Sequence, residues 1–131
     1  MLENLSLQLQ IAVCDDEPTD LRQAAGLARE IMAAEALPCS MSCYESASTL
    51  LAAIQNGAQF QLLLLDVIMD GLDGMEFAAA LRKLGDSTAI IFFSSNREMA
   101  LRGYEVSAAR YLAKPLQRPQ LREALLYCYK T

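Results

Sequence analysis

Short apolar segments alternate with helical segments along this chain, and few folds accommodate that alternation. Five segments have the length and apolar character of β-strands: Leu9–Cys14, Cys39–Tyr44, Leu62–Asp66, Ala89–Phe93 and Tyr111–Ala113. The third is a run of leucines that stops at an aspartate, which is typical of a central strand covered on both faces. Strands that alternate with helices in this way favour a parallel sheet packed between two helical layers.

Between these strands, apolar residues recur every three or four positions, which predicts helices. Helices are predicted to start at Pro18, to span Ser46–Asn56, to follow an N-cap at Asp73, and to span Arg97–Val106 and Pro119–Tyr129. The buried stripe of the third helix is predicted to consist of Phe77, Ala78, Leu81 and Leu84.

The predicted fold class is therefore α/β, with the element order (βα)5. Right-handed crossovers make such a chain a doubly wound, flavodoxin-like parallel sheet of five strands, predicted in the order 2-1-3-4-5.

The 131 residues suit a single domain, residues 1–131, with a core from about residue 8 to 129. No apolar run approaches the roughly 20 residues that span a membrane. No secretory signal is visible either, so we expect a cytoplasmic protein without membrane contact.

The composition excludes several kinds of chemistry. The chain has no histidine, which removes Ser–His and Cys–His pairs, the HExxH zinc motif and the commonest general base. The four cysteines lack zinc-site spacing and are predicted to be small buried apolar residues: Cys14, Cys39, Cys43 and Cys128. A net charge of -5 opposes direct nucleic-acid contact by this domain. Chemistry must therefore use carboxylates, hydroxyls, lysine or a metal ion.

Polar residues follow four of the predicted strands. They are Asp15 and Asp16 after the first strand, Asp66 at the end of the third, Ser94 after the fourth and Lys114 after the fifth. Because the carboxyl ends of parallel strands meet at one edge of the sheet, we expect these side chains to lie close together. Taken singly, each has an ordinary structural explanation as a helix cap, a turn former or a helix stop. Their convergence favours a functional site.

Three carboxylates in one pocket repel one another. At 4 Å each pair costs about 4 kcal/mol at an effective dielectric of 20, so the cluster favours a bound cation. Oxygen ligands with several retained waters suit magnesium better than zinc. We therefore expect Mg²⁺ as the cofactor.

Five segments resemble the motifs of response-regulator receiver domains from two-component systems. In order, they are residues 11–17 (IAVCDDE), 62–69 (LLLLDVIM), 71–74 (GLDG), 90–95 (IIFFSS) and 111–115 (YLAKP). Each motif alone is weak, but five in order, with family-like spacing over residues 8–129, are strong. The resemblance implies a phospho-accepting switch, not an enzyme in its own right, whose partner is a sensor histidine kinase that supplies the missing histidine.

The resemblance also assigns roles to single residues. Asp66 would be the phospho-acceptor, and Asp16 and Asp66 would bind Mg²⁺ directly. The main-chain carbonyl of Ile68 would be a third ligand, and Asp15 would act largely through water. Ser94 would donate a hydrogen bond to the phosphoryl group.

At the fifth strand, the resemblance pairs Lys114 with the phosphoryl oxygens. It makes Tyr111 an aromatic switch that turns inward when Ser94 moves, although a tyrosine beside a short strand is also often partly buried core. It implies a cis bond between Lys114 and Pro115.

The chain departs from the family pattern in the loop after the acceptor and near the hydroxyl residue. Asp70 replaces a common proline, and Ser94 replaces the commoner threonine. Ile68 and Asn96 occupy positions that tune phosphoryl lifetime in the family, and an apolar Ile68 cannot orient an attacking water.

Residues 91–111 are also similar to receivers that carry LytTR-type DNA-binding output domains. No such domain occurs within the 131 residues, so we expect a segment of a longer regulator or a stand-alone receiver. The resemblance implies an output surface formed by the predicted fourth helix, fifth strand and fifth helix, where a homodimer would form. Residues 97–131 carry seven basic and three acidic side chains, which suits either a solvated face or such a partner surface.

Two other functions remain open. A magnesium-dependent phosphohydrolase with an aspartyl nucleophile would use the same acceptor, metal and lysine. Enzymes of the haloacid-dehalogenase class need a second acid two residues after the nucleophile, where this chain has Ile68. A degenerate receiver that serves only as a binding module is the other alternative.

Overall fold

The fold was obtained as a computed structural model, which describes residues 8–95 and 105–130. One sheet contains five parallel strands in the order β2-β1-β3-β4-β5. The strands are β1 (Leu9–Cys14), β2 (Cys39–Tyr44), β3 (Leu62–Asp66), β4 (Ala89–Ser94) and β5 (Arg110–Ala113). The predicted fold class and strand order are confirmed.

Four helices lie within the described residues. They are α1 (Pro18–Ala34), α2 (Ala47–Gln55), α3 (Gly74–Lys83) and α4 (Arg118–Lys130). The helix predicted at Arg97–Val106 falls largely on residues 96–104, outside the described part of the chain.

Local capping contacts explain where the first three helices begin. Glu17 is the N-cap of α1 and accepts a hydrogen bond from the Thr19 main-chain N–H at 2.7 Å, while Pro18 occupies the first turn. Ser46 caps α2 by the same kind of contact. Asp73 and Glu76 form a reciprocal capping box at α3, which confirms the predicted N-cap.

The sheet separates two apolar layers because successive side chains of a strand point to opposite faces. One layer joins α1 and α4 to the strand residues Ile11, Val13, Leu62, Leu64, Ile91 and Phe93. The other joins α2 and α3 to the strand residues Ala12, Cys14, Leu63, Leu65, Ile90 and Phe92. Helices cover both faces, as a doubly wound sheet requires.

The register of the central strands decides which loop residues meet. β1 and β3 are neighbours, with Cys14 opposite Leu65. The next residue of each strand is an aspartate, Asp15 or Asp66, so the two carboxylates arrive side by side at the carboxyl edge of the sheet. This edge is where ligands bind in open α/β sheets.

Two predictions about burial are wrong. Leu84 is 60% exposed because α3 ends at Lys83 and Leu84 is only its C-cap, beyond the packed face of the helix. Cys43 is exposed and Cys39 is half-buried because β2 lies at the sheet edge and pairs with β1 alone. Cys14, in the central strand β1, is buried as predicted, and all four cysteines are free thiols.

Candidate functional site

Two aspartates follow β1 and are held by its turn into α1. Asp15 is fully buried, and Asp16 is half-buried. The Asp15 main-chain N–H donates to the Tyr44 carbonyl oxygen at 3.1 Å, which extends the β1–β2 pairing by one residue. The Asp15 Oδ1 atom accepts a hydrogen bond from the Glu17 N–H at 3.0 Å. These contacts fix the Asp15 carboxylate at the carboxyl end of the strand.

Asp66 is the last residue of β3 and is 4% exposed. Two main-chain hydrogen bonds of Val67 hold the loop that follows Asp66. The Val67 N–H donates to the Phe93 carbonyl at 3.2 Å, and the Gly74 N–H donates to the Val67 carbonyl at 2.8 Å. A Cβ atom on Gly74 would collide with the Asp66 carbonyl oxygen and would lie 3.0 Å from the Val67 Cα.

Sequence reasoning attached no role in the site to Gly74. The available signal was a glycine directly after a helix N-cap, at a position where a better helix former is usual. The structure shows that this glycine allows α3 to start against the backbone of the acidic strand end.

The three predicted acidic residues come together. Carboxylate oxygens of Asp15, Asp16 and Asp66 all lie within 4.8 Å of one another. The Asp16 Oδ2 atom also accepts a hydrogen bond from the Asp70 N–H at 2.9 Å, so the loop after β3 helps to hold this carboxylate. An all-oxygen group of mutually repelling carboxylates, two of them buried, fits a hard divalent cation such as Mg²⁺.

Lys114, directly after β5, supplies a positive charge to this cluster. Its Nζ atom lies 3.0 Å from Asp15 Oδ2 and 3.3 Å from Asp66 Oδ2. A third carboxylate, Asp20 Oδ2, also lies 3.0 Å from Nζ. No sequence pattern connects Asp20 with the site, since an acidic residue in the first turn of a helix is already explained by the helix dipole.

Charge and burial shift the pKa values of this cluster. Burial, followed by the negative charge of Asp15, raises the pKa of Asp66 to about 7, and the nearby Lys114 opposes the shift. Burial alone would lower the pKa of Lys114, but hydrogen bonds to Asp20 and Asp15 and the charge of Asp66 outweigh burial and raise it. Lys114 therefore remains a cation near neutral pH, whereas Asp66 titrates there when no other cation is bound.

Cys14 lies next to the cluster but is a poor nucleophile. Burial, and then the charges of Asp15, Asp66 and Asp16, raise the pKa of the Cys14 thiol to about 12. The thiol therefore stays protonated at neutral pH, and we assign it no chemical role in the site.

Ser94 and Tyr111 belong to the adjacent strands β4 and β5. Ser94 is buried and lies opposite Ala113 in the strand register, and its carbonyl accepts a hydrogen bond from the Lys114 N–H at 3.0 Å. Tyr111 is half-buried, with its ring centroid 6.2 Å from that of Phe92. Burial raises the pKa of Tyr111, and a side-chain hydrogen bond with Ser94 opposes that shift. The predicted switch pair is therefore in direct contact.

The structure describes two of the remaining predicted features, Ile68 and the Lys114–Pro115 bond. Ile68 follows Asp66 by two residues, and its side chain is 51% exposed. The Lys114–Pro115 peptide bond is cis. Asn96 lies outside the described residues.

Three carboxylates, an ammonium group and a hydroxyl therefore meet at one edge of the sheet. On a doubly wound sheet of order 2-1-3-4-5, this site defines an α/β domain of the receiver type. Comparison with known families agrees, since the family model of the response regulator receiver domain matches residues 11–126. The chain belongs to the response regulator receiver domain family.

Characterised relatives point to the same family. The chain is 35% identical over 117 residues to the Positive alginate biosynthesis regulatory protein of Pseudomonas aeruginosa, which covers 89% of this chain and 46% of that protein. It is 26% identical to the Transcriptional regulatory protein LytR of Staphylococcus aureus, with the same two coverages. The chain thus spans about half the length of the curated relatives it matches. The LytR match agrees with the resemblance to LytTR-type receivers.

Solved structures share the fold. The signal receiver domain of the putative response regulator NarL from Mycobacterium tuberculosis is 25% identical, with a TM-score of 0.76, over 94% of this chain and 97% of that one. The response regulatory domain of mrkE from Klebsiella pneumoniae has a TM-score of 0.80 at 18% identity, over 93% of this chain and 96% of that one.

Within residues 8–95 and 105–130, no helix combines the length and apolar character that crossing a membrane requires.

Proposed function

We propose that this chain accepts a phosphoryl group on Asp66 from a sensor histidine kinase, in a reaction that depends on Mg²⁺. The observation that carries the proposal is the position of Asp66. This buried carboxylate lies 3.3 Å from the Lys114 ammonium and shares a 4.8 Å oxygen cluster with Asp15 and Asp16.

In the proposed reaction, a carboxylate oxygen of Asp66 attacks the phosphorus atom of a phosphohistidine on the kinase. The new P–O bond forms as the P–N bond to the donor breaks, and the histidine leaves. A magnesium ion, when bound, would neutralise charge on the phosphoryl oxygens. The ligands would be Asp16, Asp66 and the Ile68 carbonyl, with Asp15 acting largely through water.

Two further side chains would receive the phosphoryl group. Lys114 would form a charge-assisted hydrogen bond to one oxygen, and Ser94 would donate to another. Ser94 already contacts Tyr111 through a side-chain hydrogen bond, so movement of Ser94 toward the phosphoryl group would free Tyr111 to turn inward.

This rearrangement would change the output surface that the family resemblance implies, which includes β5 and α4. To move the ratio of active to inactive conformations from 1:99 to 99:1, phosphorylation must favour the active conformation by about 5.5 kcal/mol.

We propose that the altered surface supports a homodimer and controls an output. If the chain is part of a longer regulator, that output would be a DNA-binding domain. Sedimentation with and without beryllofluoride tests dimerisation, and an unchanged profile would count against it.

Residues 8–129 would act as one cytoplasmic receiver domain and as a switch. Receiver domains of response regulators are signalling modules. The chain would participate in its own phosphorylation and dephosphorylation without processing a separate substrate.

Mass spectrometry after treatment with acetyl phosphate and MgCl2 tests the proposal. The native chain should gain one phosphoryl group, Asp66→Asn should gain none, and chelation of the metal should abolish the gain. Asp70→Asn is the matched control, because the link from Asp70 to the cluster is its main-chain N–H, which the substitution keeps. Labelling of Asp66→Asn at the native level would overturn the proposal.

The same sample separates the two alternatives. Continuous release of phosphate from phosphate monoesters would favour the phosphohydrolase. Failure to take up either acetyl phosphate or beryllofluoride with Mg²⁺ would favour a degenerate receiver.

A further inference from the structure

Asp20 binds Lys114 from outside the acidic cluster. Asp20 lies in the first turn of α1, and its Oδ2 atom is 3.0 Å from Lys114 Nζ, the same separation as that between Asp15 Oδ2 and Nζ. Its side chain is 39% exposed, compared with 20% for Lys114. Asp20 is not part of the three-carboxylate group that fits a cation.

Three carboxylates surround the Lys114 ammonium, and two of them, Asp15 and Asp20, accept hydrogen bonds from it. An ammonium group has three N–H bonds. Asp15, Asp20 and Asp66 approach Nζ at 3.0, 3.0 and 3.3 Å, respectively. A phosphoryl group on Asp66, as in the proposed function on which this inference rests, needs one of these donors. To reach an oxygen of that group, Nζ must shift from its present position, and its hydrogen bonds to Asp15 and Asp20 oppose the shift.

Of the two hydrogen bonds to Lys114, the one to Asp20 can break more easily than the one to Asp15. Asp20 and Lys114 line a cavity of about 280 Å³, together with Leu27, Phe93 and Pro115. This cavity gives the Asp20 side chain room to move away without repacking of the core. Asp15 has no such freedom, because it is fully buried and its other oxygen accepts the Glu17 N–H.

We propose that Asp20 is a positioning residue that competes with the phosphoryl group for the Lys114 ammonium and thereby slows phosphoryl uptake on Asp66. Partly exposed ion pairs contribute about 0.2 to 1 kcal/mol, which corresponds to a change of roughly 1.4- to 5-fold in a rate. Removing the Asp20 charge should accelerate labelling of Asp66 within that range.

The test compares labelling rates of four chains with acetyl phosphate and Mg²⁺: native, Asp20→Asn, Asp20→Glu and Glu30→Gln. Glu30→Gln removes one negative charge from the same helix, at a residue whose contact is Arg118 at 3.3 Å. Asp20→Asn should be faster than the native chain, Glu30→Gln should match the native chain, and Asp20→Glu should return toward the native rate. Equal rates for the native chain and Asp20→Asn, or an equal acceleration in Glu30→Gln, would overturn the proposal.

A second measurement does not depend on phosphorylation. The ¹H–¹⁵N signal of the Lys114 ammonium, recorded without a phosphodonor, should change in Asp20→Asn and stay in place in Glu30→Gln. If the native chain takes up no phosphoryl group, the proposed function fails. In that case the ammonium signal alone tests whether Asp20 binds Lys114. An unchanged signal in Asp20→Asn would show that it does not.

Discussion

Gly74 packs so closely against Asp66 that the site has no space for a side chain at the start of α3. A Cβ atom at this position would collide with the main-chain carbonyl oxygen of Asp66. The first helical residue after the Asp73 N-cap therefore touches the backbone of the proposed phospho-acceptor. Only glycine, whose side chain is a hydrogen atom, fits at this position without moving the backbone of Asp66.

Replacing Gly74 with alanine should displace the end of β3 or the start of α3. Overpacking of this kind costs about 1 to 3 kcal/mol, so Gly74→Ala should lower the free energy of unfolding by that amount. It should also slow labelling of Asp66, because the carboxylate moves relative to Asp16 and Lys114. Urea denaturation and acetyl phosphate labelling measure the two effects.

Gly26→Ala is the matched control for this substitution. Gly26 lies inside α1, and a Cβ atom there would meet nothing within 4 Å. Alanine in a helix interior should stabilise the chain by about 1 kcal/mol and leave labelling unchanged. A Gly74→Ala chain as stable and as active as the native chain would contradict the close contact.

The raised pKa of Asp66 predicts how stability depends on pH in metal-free buffer. Burial and the charge of Asp15 raise this pKa from 3.8 to about 7. Between these values the folded chain binds a proton that the unfolded chain lacks, so stability falls as pH rises from about 4 to 7. Above pH 7, Asp66→Asn should be more stable than the native chain by roughly 1 to 4 kcal/mol. Below pH 4 the difference should disappear.

Chemical denaturation at several pH values, with EDTA present, measures this dependence. Asp70→Asn is the control, because it removes one carboxylate at an exposed position of the same loop. Added Mg²⁺ should stabilise the native chain more than Asp66→Asn. A constant difference between the native and Asp66→Asn chains from pH 4 to 8 would contradict the raised pKa.

Loss of the Lys114 charge should destabilise the fold and make it depend on divalent cations. Lys114→Gln leaves Asp15, Asp20 and Asp66 without their common ammonium partner. Removing one partner of a buried ion pair costs about 3 to 5 kcal/mol, and the partial exposure of Lys114 places the expected loss nearer 1 to 3 kcal/mol. Mg²⁺ should restore part of the loss, as measured by thermal unfolding with and without the ion.

Lys83→Gln removes the same charge from the exposed last turn of α3 and should cost much less. If Lys114→Gln and Lys83→Gln lose equal stability, the three contacts to Lys114 do not stabilise the fold.

An apolar residue at position 68 predicts slow loss of the phosphoryl group from Asp66. The Ile68 side chain is half-exposed and has no group that can orient an attacking water. Ile68→Asn should shorten the lifetime of the phosphorylated chain by roughly two- to tenfold, the worth of one net hydrogen bond. Decay of the phosphorylated mass after removal of the donor measures the lifetime.

Ile68→Val is the control, because it keeps an apolar side chain and should keep the lifetime. A native phosphorylated form that lasts only seconds would be inconsistent with this account of Ile68.

The sequence alone was enough to predict the fold and the acidic cluster. Strand and helix periodicities are local properties, and each of the five predicted strands forms. The carboxyl ends of parallel strands share one edge, so Asp15, Asp16 and Asp66 could be expected to meet without knowledge of any distance. The Asp73 N-cap could also be predicted, because capping is a local contact between residues three positions apart.

Only the tertiary structure decided which residues outside the motifs touch the site and which apolar residues stay exposed. Asp20 and Lys114 are 94 residues apart in the chain, so no local pattern could join them. The need for glycine at position 74 arises from the approach of α3 to the end of β3. Cys43 is exposed because its strand lies at the edge, and Leu84 because its helix has already ended. Local patterns determine which elements form, whereas distances and exposure arise only when those elements pack against one another.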